Sequence, residues 1–291
     1  MKKITTILFL AVLTCSVFAG KPSLKDAIAK VDIDKVKELL NNGADVNERW
    51  SGAPALYWAA WRGNCEMIKL LVENGAEVDK LSVQGNTPLA CVVNIAESPS
   101  TVIAANIKRN AKAIKRFGEE KCIKEGWIET TDTSKFSTSE EKAKTLIELG
   151  ADPNIVLGTG SVKYGSPFLY AVKDQNLSLV KVMLDTKKVD TENRFDQWLE
   201  KKTGTGHQYN TPLIFAIEKQ NLALVKLLVE GGANINNGKD VIKDSTVKGG
   251  YNQITKTSTT YWYTPLGIAT EIGNEEIISY LKEKGAVLIQ E

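Results

Sequence analysis

One histidine, His207, occurs in 291 residues, alongside four cysteines. That inventory cannot supply the Cys/His spacing of a zinc site, and neither H-E-x-x-H nor G-x-S-x-G is present. His207 sits in KTGTGHQYN, a glycine-bearing stretch that suits an exposed loop better than a catalytic centre. An excess of one charge is missing as well, with 37 Lys and Arg against 35 Asp and Glu, so bulk attraction to nucleic acid or an anionic membrane is not expected. Past the first twenty residues there is no apolar run long enough to span a bilayer. These absences exclude the common metal-dependent, serine-hydrolase and nucleic-acid classes and leave no expected cofactor.

The first residues, MKKITTILFLAVLTCSVFAG, have the pattern of a secretory signal. Lys2 and Lys3 form a basic start, Ile4 to Val17 a short apolar stretch, and Val17-Phe18-Ala19 a small-residue cleavage site. Cleavage after Ala19 would leave a chain with 35 basic and 35 acidic residues, destined for the periplasm or the medium. Lipid attachment at Cys15 is the alternative, but Val12-Leu13-Thr14 lacks the small residue that should precede the cysteine. Cys65, Cys91 and Cys122 would remain. One pair of them could bridge in an oxidising compartment, although Cys65 and Cys91 occupy different positions in neighbouring repeats. Buried or half-buried thiols are the plainer expectation.

The organising stretch is Thr211 to Asn236, TPLIFAIEKQNLALVKLLVEGGANIN. Thr211 suits a helix N-cap and Pro212 the first helical position. Leu213, Ala216 and Ile217 share one helix face; Gln220-Asn221 fits a reversal; Leu222, Val225, Leu228 and Val229 mark a second helix; Gly231-Gly232 ends it. The pattern recurs as TPLGIATEIGNEEIISYLKEKGA from Thr264 and SPFLYAVKDQNLSLVKVMLDTKKVD from Ser166. It recurs again as PALYWAAWRGNCEMIKLLVENGAEVD from Pro54, and in pieces at Leu24–Asn47, Thr87–Val92 and Lys142–Asn154. The spacing from Pro54 to Thr87 is 33 residues.

This period and the T-P-L motif resemble the ankyrin repeat family. The turn histidine of that family is replaced by Tyr57, Ala90, Leu169, Ile214 and Gly267. The resemblance implies an all-α solenoid of about six repeats after a signal peptide over 1–19. As one domain over 20–291, its repeats lie near 23–53, 54–86, 87–165, 166–210, 211–263 and 264–291. Each repeat would bury its apolar face only against its neighbours, so one continuous core is expected. Three inserts interrupt the pattern. The third repeat carries one over 98–139, where Val102 to Phe117 recur at helical spacing. Thr191–Asn210 is polar, with Phe195, Trp198 and Leu199 as anchors. In Asn237–Tyr263, two β-rich arms around Lys248-Gly249-Gly250 predict an elongated hairpin finger. All three are expected to be peripheral to the stack.

Other candidate chemistry has plainer explanations. Gly232 to Lys239 has five residues between its glycines where a phosphate loop has four, with Asp240 in place of the required hydroxyl, and it coincides with a repeat exit. Glu140-Glu141 and Glu275-Glu276 suit first-turn helix positions. The basic residues of 102–117 are offset by Glu119, Glu120 and Glu125.

Family resemblance implies non-catalytic binding of a protein partner, as yet unidentified, by a chain that is monomeric alone. An immunity-type protein that neutralises an exported toxin or enzyme is the alternative. Candidate contacts on the concave face and fingers are Trp50, Trp61, Arg62, Lys173, Asp174, Glu218, Lys219, Tyr261 and Trp262, because exposed Trp, Tyr and Arg dominate interface energies. Trp50 is placed near a finger tip, and Trp58 is expected in the core.

Overall fold

The computed structural model describes residues 23–94, 115–116, 137–159, 162–193, 211–248 and 254–288. The fold is mostly helical and built from helix pairs. Each pair begins with an inner helix: α1 (Leu24–Ala29), α3 (Ala55–Arg62), α5 (Pro88–Asn94), α7 (Pro167–Lys173), α9 (Pro212–Glu218) and α11 (Pro265–Ile272). The outer helices are α2 (Ile33–Asn41), α4 (Cys65–Glu73), α6 (Ser139–Glu148), α8 (Leu177–Asp185), α10 (Leu222–Glu230) and α12 (Glu275–Glu283). Inner helices pack in the order α1, α3, α5, α7, α9, α11, and outer helices in the order α2, α4, α6, α8, α10, α12. One apolar cluster runs through both rows from Leu24 to Leu281. That continuity follows from helices too short to stand alone in water, each with an apolar stripe that only a neighbour can cover.

Local chemistry sets the ends of these helices. Before α5, α7, α9 and α11 a buried hydroxyl precedes proline, and the Oγ of Thr87, Ser166, Thr211 and Thr264 accepts from the N–H of Ala90, Leu169, Ile214 and Gly267. These amides belong to four of the residues that replace the family's turn histidine. Asp32, Asn64, Asn176, Asn221 and Asn274 cap the outer helices in the same way. Thr138 and Glu141 form a reciprocal capping box on α6. Pro54 at the head of α3 makes no side-chain cap.

Among the described residues three antiparallel hairpins join the pairs: β1 (Arg49–Trp50) with β2 (Ala53–Pro54), β3 (Leu157–Thr159) with β4 (Val162–Gly165), and β5 (Lys239–Lys248) with β6 (Ile254–Tyr263). The last ladder runs unbroken from Lys239↔Tyr263 to Lys248↔Ile254. The β3–β4 hairpin was not anticipated, although LGTGSVKYG carries the signal of β-formers around a glycine turn. Gly158 N–H donates to Gly85 O at 3.0 Å, and a Cβ on Gly85 would lie 2.3 Å from that backbone. Glycine is required there by the close approach of two chains.

Between turns, one polar side chain clasps the next. Asn47 donates to Gly75 O and accepts from Glu77 N; Asn154 donates to Lys188 O and accepts from Asp190 N. At the junction between them stands Asp79. Its Oδ2 accepts from Asp152 N, while its buried Oδ1 has no partner. Burial, only partly offset by that hydrogen bond, raises the Asp79 carboxyl above its ordinary value.

Of the helix expected over 102–117, only Lys115 and Arg116 are described, and both are helical and exposed. The signal segment, Cys122, Phe195, Trp198, Leu199 and His207 lie outside the described residues. Cys65 and Cys91 are unpaired thiols.

Candidate functional site

The inner helices present equivalent positions one above another. Counting back from the outer-helix caps, Trp58, Cys91, Tyr170, Phe215 and Ile268 share one position. Trp61, Asn94, Lys173, Glu218 and Glu271 share the next, three residues on. In the later pairs this second position is charged. Lys173 lies over the Tyr170 ring at 5.7 Å, and Lys219, one residue past Glu218, lies over Phe215 at 5.4 Å. Lys173 and Glu218 are half-buried, and Asp174 and Lys219 are exposed. In α3 the position holds Trp61, which is 38% exposed.

Trp61 stands edge-on to Trp58 with ring centroids 5.4 Å apart, and the Arg62 guanidinium lies 5.1 Å from the Trp61 centroid. Trp58 Nε1–H donates to Trp50 O at 3.1 Å, tying α3 to β1. Lys25, Ile28 and Ala29, one face of α1, complete an open cleft of about 100 Å³ with Trp50, Trp58, Trp61 and Arg62. The expected exposure of Trp50 needs correction. At 9% it belongs to the core cluster, although it also lines the cleft. Trp58, expected in the core, is half-buried and forms the cleft wall.

The corner after α3 differs from its counterparts. Val31, Gln175, Gln220 and Gly273 close their helices in the left-handed region, with φ of 54°, 53°, 53° and 79°. At the α9 corner, Gln220 N donates to Ile217 O and Asn221 N to Ala216 O. Gly63 instead has φ −84° and ψ −160°, and its N–H donates to Ala59 O. Ala60 O therefore lacks its usual partner. Lys142 supplies one: its Nζ donates to Ala60 O at 3.0 Å and to Trp61 O at 3.4 Å, from a side chain only 2% exposed. Ser137 Oγ accepts from Cys65 N at 3.0 Å on the other side of the corner. The segment that returns from the insert thus holds the turn that carries Trp61 and Arg62.

Around that ammonium the electrostatics are those of a dry site. Burial pushes the Lys142 ammonium below its ordinary value, opposed by the Cys91 and Cys65 thiols. Burial also pushes the Cys91 thiol up to about 12, against the pull of its hydrogen bond with Tyr57 and of Lys142. Tyr57 is raised for the same reason. The Cys91 thiol and the Tyr57 phenol therefore stay protonated near neutral pH, and neither is an anionic nucleophile. Sequence reading missed Lys142; a lysine on the apolar face of KAKTLIEL was the available signal.

The structure brings Trp50, Trp61 and Arg62 together in the cleft. Lys173, Asp174, Glu218 and Lys219 lie further along the row at the ends of α7 and α9. Tyr261 and Trp262 pair with Val241 and Asp240 at the root of the long ladder, beside α11, not at its tip. Among the described residues no cluster of His, Cys, Asp or Glu can hold a metal, and no helix is long and apolar enough to cross a membrane.

Comparison with known proteins adds the following. Family models for ankyrin repeats match residues 24–72, as many copies, and 134–239, as three copies. The crystal structure of EF0377, an ankyrin repeat protein, superposes with a TM-score of 0.51 at 16% identity, over 90% of this chain and 97% of that one. No curated protein matches significantly.

Proposed function

Because the chain belongs to the ankyrin-repeat family, we propose that it is a non-catalytic module that binds a protein partner through its inner-helix face, with the cleft between α1 and α3 as the principal contact. Ankyrin repeats are generally protein–protein interaction modules. The observation that carries the assignment to this face is Trp61, an exposed indole under a guanidinium at a row position that elsewhere holds Asn94, Lys173, Glu218 or Glu271. Covering that apolar ring with a partner would remove it from water, a favourable change. Arg62 and the mixed charges of Lys173, Asp174, Glu218 and Lys219 favour one partner over others. The chain acts as a monomer after export and cleavage near Ala19, in the periplasm or outside the cell. The β5–β6 ladder serves as a finger beside the same face, with Tyr261 and Trp262 as secondary contacts.

The full chain is used as bait in periplasmic extract, and the captured partner is titrated against variants by surface plasmon resonance. Trp61→Ala and Arg62→Ala should each weaken binding by roughly thirtyfold, about 2 kcal/mol, at nearly unchanged Tm. Normal binding by both variants would remove the cleft from the interface. Mass spectrometry of the recovered protein checks export, and an intact Met1 would overturn it.

A further inference from the structure

One place in the repeat is held by asparagine three times and by an acid once. Asn47, Asp79, Asn154 and Asn236 each stand four residues after a glycine in the left-handed region, namely Gly43, Gly75, Gly150 and Gly232. Each reaches to the exit turn of the next helix pair. Asn47 makes the complete clasp: its Nδ2 donates to Gly75 O at 2.9 Å, and its Oδ1 accepts from Glu77 N, two residues on, at 3.0 Å. Asn154 does the same at Lys188 O and Asp190 N, both at 2.8 Å. Asn236 Oδ1 accepts from Val287 N, two residues after Gly285.

Asp79 keeps only the accepting half. Its Oδ2 takes the N–H of Asp152, two residues after Gly150, at 3.1 Å. By the register of the other clasps, its second oxygen takes the place of the amide nitrogen that would donate to Gly150 O. That oxygen, Oδ1, is buried and has no hydrogen-bond partner. An ionised carboxylate can only accept, whereas a carboxylic acid carries the missing donor. A carboxylate at another junction is supplied differently. Glu192 Oε1 accepts from Asn234 N, two residues after Gly232, and its Oε2 accepts from Asn237 Nδ2, so each oxygen has a donor.

The charges around Asp79 do not supply what is missing. On its own turn, Lys80 is paired with Glu77 at 2.6 Å. Across the junction stands Asp152, whose charge opposes ionisation of Asp79 and whose Oδ1 accepts from Asn154 N at 2.8 Å. The insert rejoins the chain at the other end of α6, ten residues and about 15 Å away along the helix.

We propose that the junction between the second and third helix pairs is a pH-sensitive clasp, closed in acid when the Asp79 carboxylic acid donates from Oδ1 to Gly150 O and one bond short when that carboxyl is ionised. The other junctions use amides and hold at every pH, so this one is the joint at which the pair carrying Trp61 loosens from the rest of the array. Burial raises the Asp79 carboxyl above 3.8, against the hydrogen bond from Asp152 N. The donated bond is therefore present below the ordinary value and lost as pH rises through the folded value.

Amide exchange at Asp152 is followed by NMR in the full chain and in Asp79→Asn at matched pH, so that intrinsic exchange rates cancel. At pH 7 the wild-type amide should exchange about fivefold faster than that of the variant, and the ratio should fall toward one as the pH is lowered. The carbon-13 signal of the Asp79 carboxyl, which needs no variant, should titrate above 3.8. A ratio at or below one at pH 7, or a ratio that does not change with pH, would overturn the clasp. So would a carboxyl that titrates at or below 3.8.

Discussion

α3 and α9 hold the same place in the second and fifth helix pairs and do different work. Every residue of α9 from Pro212 to Ile217 is buried, its head is capped by Thr211, and its corner closes in the left-handed region at Gln220. α3 has no side-chain cap, exposes Trp61, and relies on Lys142 to satisfy the carbonyls at its corner. One helix is complete with its stacked neighbours alone. The other leaves a large apolar ring in water and takes a lysine from a segment beyond the insert to hold it there. Within a repeat array, departures from the shared pattern mark the surface available for binding, because regular positions are already committed to stacking.

The largest expected effect separates the two helices by stability. Phe215→Ala should cost about 3–5 kcal/mol in urea unfolding, as loss of a buried aromatic does, whereas Trp61→Ala should cost under about 1 kcal/mol. Comparable losses would mean that Trp61 is a core residue and would collapse the distinction.

Lys142→Met tests the borrowed corner. Leaving Ala60 O buried without a donor should cost about 1–3 kcal/mol at neutral pH. The pH dependence has a definite sign. The folded-state value of Lys142 lies below 10.5, so the unfolded state binds more protons between the two values and the wild type gains stability on the methionine variant as pH rises toward 10.5. Cys91, raised from 9.0 to about 12, acts in the opposite direction above pH 9.0, and because Lys142 pulls it down the two proteins differ there too, so the comparison is read below pH 9.0. A flat difference up to that pH would place the ammonium in water.

Asp79→Asn should stabilise the chain by about 1 kcal/mol, since an amide there can donate as Asn47 and Asn154 do at the neighbouring junctions. The raised Asp79 value means that ionisation costs the folded state. The advantage of asparagine should therefore be complete at neutral pH and fade as pH falls through the folded value toward 3.8. No gain at neutral pH would show that water satisfies Oδ1.

The smallest effect contrasts the corners directly. Gln220→Gly removes a non-glycine residue from the left-handed region and should stabilise by a few tenths of a kcal/mol. Gly63→Ala should instead destabilise, because its Cβ would meet Ala59 O at 2.6 Å. Thermal melts of both variants decide whether the corners are as different as their backbones.

Stacking was legible because it is written locally. Hydroxyl-proline caps, Asn corners, glycine exits and 3.6-residue periodicity each act within a few residues, so they can be read along the chain. The same rule placed Trp61 and Arg62 on the inner face. It misjudged the exposure of Trp50, whose burial depends on neighbours in space. Lys142 was invisible because its partners, Ala60 O and Trp61 O, lie about eighty residues earlier, across the insert. By itself the sequence determined helix pairs, their order and the charged character of the inner row, because these follow from short-range propensity and a repeating apolar pattern. Only the tertiary structure decided which indole is covered and which carbonyl needs a borrowed donor. Burial and hydrogen-bond satisfaction are properties of neighbours in space, and in a solenoid with insertions those neighbours are not set by spacing along the chain.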